Sequence, residues 1–154
     1  MPFKRTLAVL LTVMVVGGST AFAVDTQVSE DAPDLTAVRA KIKAKDFANA
    51  IVDLRKMAET TDHADVYNLL GFSMRKSGDM KGAALYYAKA LDFDPEHKGA
   101  LEYQGEMFVQ LGRMDRAKVN LFKLVKLCPT GCEEREDLEK AIADAENSLK
   151  PASK

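Results

Sequence analysis

Residues 64–97 read ADVYNLLGFSMRKSGDMKGAALYYAKALDFDPEH, and residues 98–131 read KGALEYQGEMFVQLGRMDRAKVNLFKLVKLCPTG. Written one above the other, the two segments fall into register at a spacing of 34. Gly71 stands over Gly105, Gly78 over Gly112, Met80 over Met114, Ala83 over Ala117, Lys89 over Lys123 and Pro95 over Pro129. Small residues, turn formers and a proline recurring together at that period imply stacked supersecondary units, none able to bury its apolar face alone.

Within the first unit the apolar residues follow a helical period twice. Val66, Leu69, Leu70 and Met74 lead to Gly78, a turn glycine, and Asp79 then caps a second helix carrying Ala83, Ala84, Tyr87, Ala90 and Leu91. Asp94-Pro95 ends it, because proline lacks the amide that a continuing helix needs. Gly71 with Ala83, and Gly105 with Ala117, are small where two helix backbones are expected to approach closely.

These residues resemble the tetratricopeptide repeat, whose pattern runs W-x2-L-G-x2-Y, then A-x3-F, then a distal proline. Tyr67-x2-Leu70-Gly71-x2-Met74, Ala83-x3-Tyr87 and Pro95 carry the likeness in one unit. Leu101-x2-Gln104-Gly105-x2-Phe108, Ala117-x3-Leu121 and Pro129 carry it in the next, without tryptophan in either. The resemblance implies an all-α α-solenoid of about three such units. Residues 34–63 read as a degenerate first repeat through Leu35, Val38, Ile42, Phe47, Ile51 and Leu54, with Ala50-x3-Leu54 as its second half. Residues 64–97 and 98–131 are full repeats. Residues 132–149 form a C-terminal capping helix with Leu138, Ile142, Ala145 and Leu149 on one side and acids in its first turns, where the helix dipole favours them. Residues 150–154 are a tail.

The amino end addresses the compartment. Lys4 and Arg5 precede the apolar run TLAVLLTVMVV at residues 6–16, then Gly17-Gly18 and the small-x-small triplet Ala21-Phe22-Ala23. These three parts read as a signal peptide over residues 1–23, cleaved after Ala23, with a polar linker over 24–33. A retained anchor is the competing reading, but the run is shorter than the roughly 18–20 apolar residues that span a bilayer. The expected location is periplasmic or secreted, with no membrane insertion after cleavage. Without Lys4 and Arg5 the 22 basic residues fall to 20 against 23 acidic ones, a net charge of −3 that disfavours nucleic acid as partner.

The two cysteines, Cys128 and Cys132, bracket the corner between the last repeat and the terminal helix. In an oxidising compartment such a pair reads as a structural disulfide. A thiol-dependent carrier of metal or redox equivalents is the alternative. The motif is neither C-x-x-C nor C-x-x-C-H, and zinc wants four ligands. His63 and His97, one repeat apart, read as turn residues. Met57, Met74, Met80, Met107 and Met114 read as packing. The chain has no G-x-S-x-G, no H-E-x-x-H and no phosphate-cradling glycine loop, so no catalytic residue, metal site or cofactor is assigned and no enzyme is expected.

What the resemblance implies instead is a protein or peptide partner held in a concave groove lined by the first helix of each unit. The residues then facing it are Asp65, Asn68, Phe72, Arg75 and Lys76, followed by Gly99, Glu102, Tyr103, Glu106 and Gln110. One branch of the family holds a terminal carboxylate with Lys, Asn and Arg, and only Asn68 coincides with that set. The expected ligand is an extended or helical segment of mixed charge with an apolar anchor, drawn to a groove basic near Arg75 and Lys76 and acidic near Glu102 and Glu106. A non-catalytic scaffold in the cell envelope is the favoured reading, and a homo-oligomer spacer is a further one.

Overall fold

The computed structural model describes residues 32–148, so the expected signal segment over 1–23, most of the expected linker, Leu149 and the tail lie outside the described residues. Among the described residues there are seven helices and no strand: α1 Thr36–Lys43, α2 Phe47–Met57, α3 Ala64–Lys76, α4 Met80–Phe93, α5 Lys98–Gln110, α6 Met114–Leu127 and α7 Glu133–Ser148. They pair as hairpins, α1 with α2, α3 with α4 and α5 with α6, and each hairpin packs on the next. The chain is an all-α helical repeat solenoid. Helix α7 packs on both α5 and α6, standing where the first helix of a further unit would stand.

The turns inside the hairpins explain the glycines. Gly78 and Gly112 adopt φ of +89° and +68°, the left-handed region that a side chain disfavours. Lys45 takes φ of 60° at the equivalent turn of the first hairpin. That position is therefore strained in the degenerate repeat, where a β-carbon crowds the carbonyl. Asp46 and Asp79 accept hydrogen bonds from the amides of Asn49 and Gly82 and so start α2 and α4. Arg113 stands in the same place before α6 and supplies no side-chain cap.

The core runs between the layers. Leu54, Val66, Leu70, Ala83 and Tyr87 are fully buried in the first part, and Leu101, Ala117, Leu124 and Leu138 in the second. Each large aliphatic side chain taken from water there contributes about 1.5–3 kcal/mol. Asn120 ties α6 to α5 inside this core, donating to the Leu101 carbonyl and to Gln104 Oε1, each at 3.0 Å.

The two helix glycines serve different neighbours, which the repeat pattern alone does not reveal. A β-carbon on Gly71 would stand 2.8 Å from the Tyr87 ring, so a ring rather than a backbone claims that space. On Gly105 it would stand 2.5 Å from a Leu138 methyl of α7. Leu121 stands in the second unit where Tyr87 stands in the first.

Cys128 and Cys132 are joined by a disulfide across the α6–α7 corner, their Cα atoms 6.0 Å apart. Arg135 reinforces that corner from α7, with Nη1 donating to the carbonyls of Cys128 at 3.4 Å and Pro129 at 3.2 Å.

Replacing Lys45 by glycine removes the strain at the first turn. The Lys45→Gly variant should gain about 0.5–1 kcal/mol in urea unfolding, whereas glycine at exposed Lys81 inside α4 should lose about 1 kcal/mol.

Candidate functional site

Helices α1, α3, α5 and α7 share one face, and a cavity of about 260 Å³ opens on it. Its walls come from all four: Arg39, then Asp65 and Asn68, then Gly99, Glu102 and Tyr103, then Glu133, Glu134 and Asp137, with His97 at the start of α5. A second cavity of about 230 Å³ adjoins it through the shared residues Arg39, Leu69 and Tyr103, and adds Ile42, Lys43 and Phe72. The first is mainly acidic and the second mainly apolar.

Of the ten groove residues expected from the pattern, Asp65, Asn68, Phe72, Gly99, Glu102 and Tyr103 come together here. Phe72 and Tyr103 lie on neighbouring helices with ring centroids 4.9 Å apart. Lys76 and Gln110 are exposed and line neither cavity.

Arg75 lies behind the face rather than on it, while the side chain of its partner Glu106 remains 27% exposed. The Arg75 side chain is 1% exposed, and its Nη2 donates to Glu106 Oε2 at 2.6 Å. Its guanidinium also lies 5.7 Å from the Phe72 ring centre and 5.9 Å from that of Tyr103, within cation–π range. A buried guanidinium needs a partner anion, and the next repeat provides one. The groove is consequently not basic at Arg75, and the acids left on its surface dominate.

His97 binds two neighbours at once. Its Nδ1 accepts from the Ala100 amide at 3.0 Å, which starts α5 and leaves the ring proton on Nε2. Nε2 then donates to Asp65 Oδ1 at 3.1 Å across the repeat boundary. That hydrogen bond holds the Asp65 carboxyl below its ordinary value. His63 plays the parallel capping part for α3, its Nδ1 accepting from the Asp65 amide at 3.2 Å. With both ring nitrogens engaged, His97 is a positioning group and not a free base. The signal for this was present in the sequence: each histidine immediately precedes a helix.

Glu102 is the most perturbed acid of the face. It is 6% exposed, and burial pushes its carboxyl up to about 8, helped by Glu106, Asp137 and Glu134 and opposed by Arg75. Asn68 is 4% exposed and its Oδ1 has no hydrogen-bond partner. Among the described residues no group of three acidic, histidine or cysteine side chains is placed to hold a metal ion.

Residues 64–97 match the tetratricopeptide repeat family model. This segment is a tetratricopeptide repeat. No curated protein matches the chain. The matched span is the α3–α4 hairpin, and α5–α6 repeats its turn glycine, helix glycine and terminal proline at the same spacing. Tetratricopeptide repeats generally mediate contacts between proteins and are typically non-catalytic, and an acidic face beside an apolar one is suited to such contact.

Glu102 makes stability depend on pH in a defined direction. Its folded-state value lies above the unfolded value near 4.5, so the folded chain binds the extra proton. Stability is full below that unfolded value and is lost as pH rises through about 8. Urea unfolding between pH 5 and 9 should show a loss on the order of 3 kcal/mol from this group, and Glu102→Gln should flatten that slope.

Proposed function

We propose that the protein is a non-catalytic scaffold of the cell envelope that holds a partner protein or peptide along the face formed by α1, α3, α5 and α7. The observation that carries this reading is the adjoining pair of cavities, one acidic and one apolar, crossing successive repeats. The partner suited to them is a segment with a basic side chain next to an apolar one. Phe72 and Tyr103 receive the apolar group, because half-buried aromatic pairs supply contact area without ordering a flexible side chain. The periplasmic or secreted location rests on the reading of residues 1–23 as a signal peptide and fits an oxidised Cys128–Cys132 pair. Among the described residues no helix is long and apolar enough to cross a membrane.

The alternative, a thiol-dependent carrier, is favoured by no cluster of ligands around the cysteines among the described residues, and the disulfide instead joins α6 to α7. Closing this short loop contributes about 2 kcal/mol by chain entropy. Replacing both cysteines by serine should lower stability by about that amount and leave partner capture intact. Capture lost in a variant that remains helical would instead favour the thiol reading.

The groove itself is tested by the double variant Phe72→Ala, Tyr103→Ala. Crosslinking and pull-down from the native envelope should show partner recovery falling about tenfold or more, while circular dichroism shows the helices intact. Unchanged recovery removes the groove as the binding surface.

A further inference from the structure

The acidic cavity contains hydrogen-bond acceptors that the fold itself leaves unused. The Glu102 carboxyl, on a residue only 6% exposed, enters none of the hydrogen bonds or ion pairs among the described residues, and neither do those of Glu134 and Asp137. Asp65 differs, being already engaged by His97 at 3.1 Å and Arg39 at 4.0 Å. The unused acceptors therefore belong to two helices, α5 and α7, around one space.

We infer that this cavity is a receptor for a primary ammonium group, the side-chain end of a lysine of the bound partner, accepted by Glu102 and the α7 acids Glu134 and Asp137. The inference rests on the groove reading given above. Three carboxyl groups on two walls match the diverging N–H bonds of an ammonium better than the flat fork of a guanidinium. The volume of about 260 Å³ admits the end of an alkyl chain, and the wall at Gly99 is bare, since a β-carbon there would press to 3.1 Å from Asn68 Nδ2. A lysine rather than a free amine is indicated by the apolar cavity alongside, which receives a neighbouring side chain of the same segment.

Binding then displaces a proton. Glu102 faces Glu106 on its own helix, Glu134 and Asp137 on α7, and Arg75 on α3, and in the empty cavity at neutral pH it retains its proton. An arriving ammonium favours the carboxylate, so the carboxyl proton passes to solvent as the ion pair forms.

The test is calorimetry on the chain with three probes: acetyl-Phe-Ala-Lys-amide, the same peptide with norleucine for lysine, and n-pentylammonium. At pH 7 the lysine peptide should bind about tenfold or more tightly than either of the others. Comparing phosphate with imidazole buffer should show release of a substantial fraction of one proton, about half or more. Glu102→Gln, which keeps the shape and removes a buried acid, should abolish both the lysine preference and the release. Circular dichroism checks its fold, and Asp137→Asn offers a second variant that should also weaken the preference. Equal binding of the lysine and norleucine peptides, no binding of either, or a preference that survives Glu102→Gln overturns the inference. Equal binding of n-pentylammonium and the lysine peptide overturns the assignment to a partner's lysine. The groove reading fails separately, if partner capture ignores Phe72 and Tyr103 while the lysine preference stands.

Discussion

A pair of short helices has two broad faces and can cover only one of them with itself. That constraint governs the rest of this structure. The α3–α4 hairpin buries Leu70 and Tyr87 between its own helices, but its outer faces need α2 on one side and α5 on the other. Since each hairpin is incomplete alone, stability accrues by neighbour contacts, and the two ends require covers of a different kind. The amino-terminal cover is a shortened hairpin whose α1 has only eight residues and one fully enclosed side chain, Val38. The carboxy-terminal cover is the single helix α7, which turns Leu138 and Ile142 inward and carries most of the chain's last charged residues on its other sides.

Stacking also decides which charges remain on the surface. Arg75 and Glu106 approach across the repeat boundary only because α3 and α5 lie side by side, and the pairing lets Arg75 withdraw from the face. Phe72 and Tyr103 flank the guanidinium, so the same arginine props the aromatic pair at the floor of the apolar cavity. What remains in the other cavity is predominantly acid, with Arg39 and His97 both acting on Asp65. The sign of the groove is thus a product of packing between repeats and not of the residues within any one of them.

This is also where reading along the sequence stops. The hairpins, the glycine turns, the proline stops and the terminal helix are legible because each depends on local chemistry and on a period visible in the residues. Arg75 is not. On α3 alone it belongs to the polar side of the helix, and only Glu106, 31 positions away, brings it inside. His97 offers a middle case: its place before α5 marks it as a cap, but its hold on Asp65 requires the stack. Gly105 is similar, since the repeat shows that it must be small and the fold shows that Leu138 is the reason.

Helix α7 joins these two levels. Glu133, Glu134 and Glu136 occupy its first turn, where the positive end of the helix dipole offsets the repulsion among them. Taken alone, that clustering is sufficiently explained by helix stability. The disulfide and the Arg135 bonds to the α6 carbonyls then fix the start of the helix against the last repeat. Fixed there, Glu133, Glu134 and Asp137 form the fourth wall of the cavity, opposite Arg39 and beside Glu102. Residues whose identities follow from capping a helix thereby raise the proton affinity of a glutamate on another one, and a device for ending the stack becomes part of the surface that the stack presents.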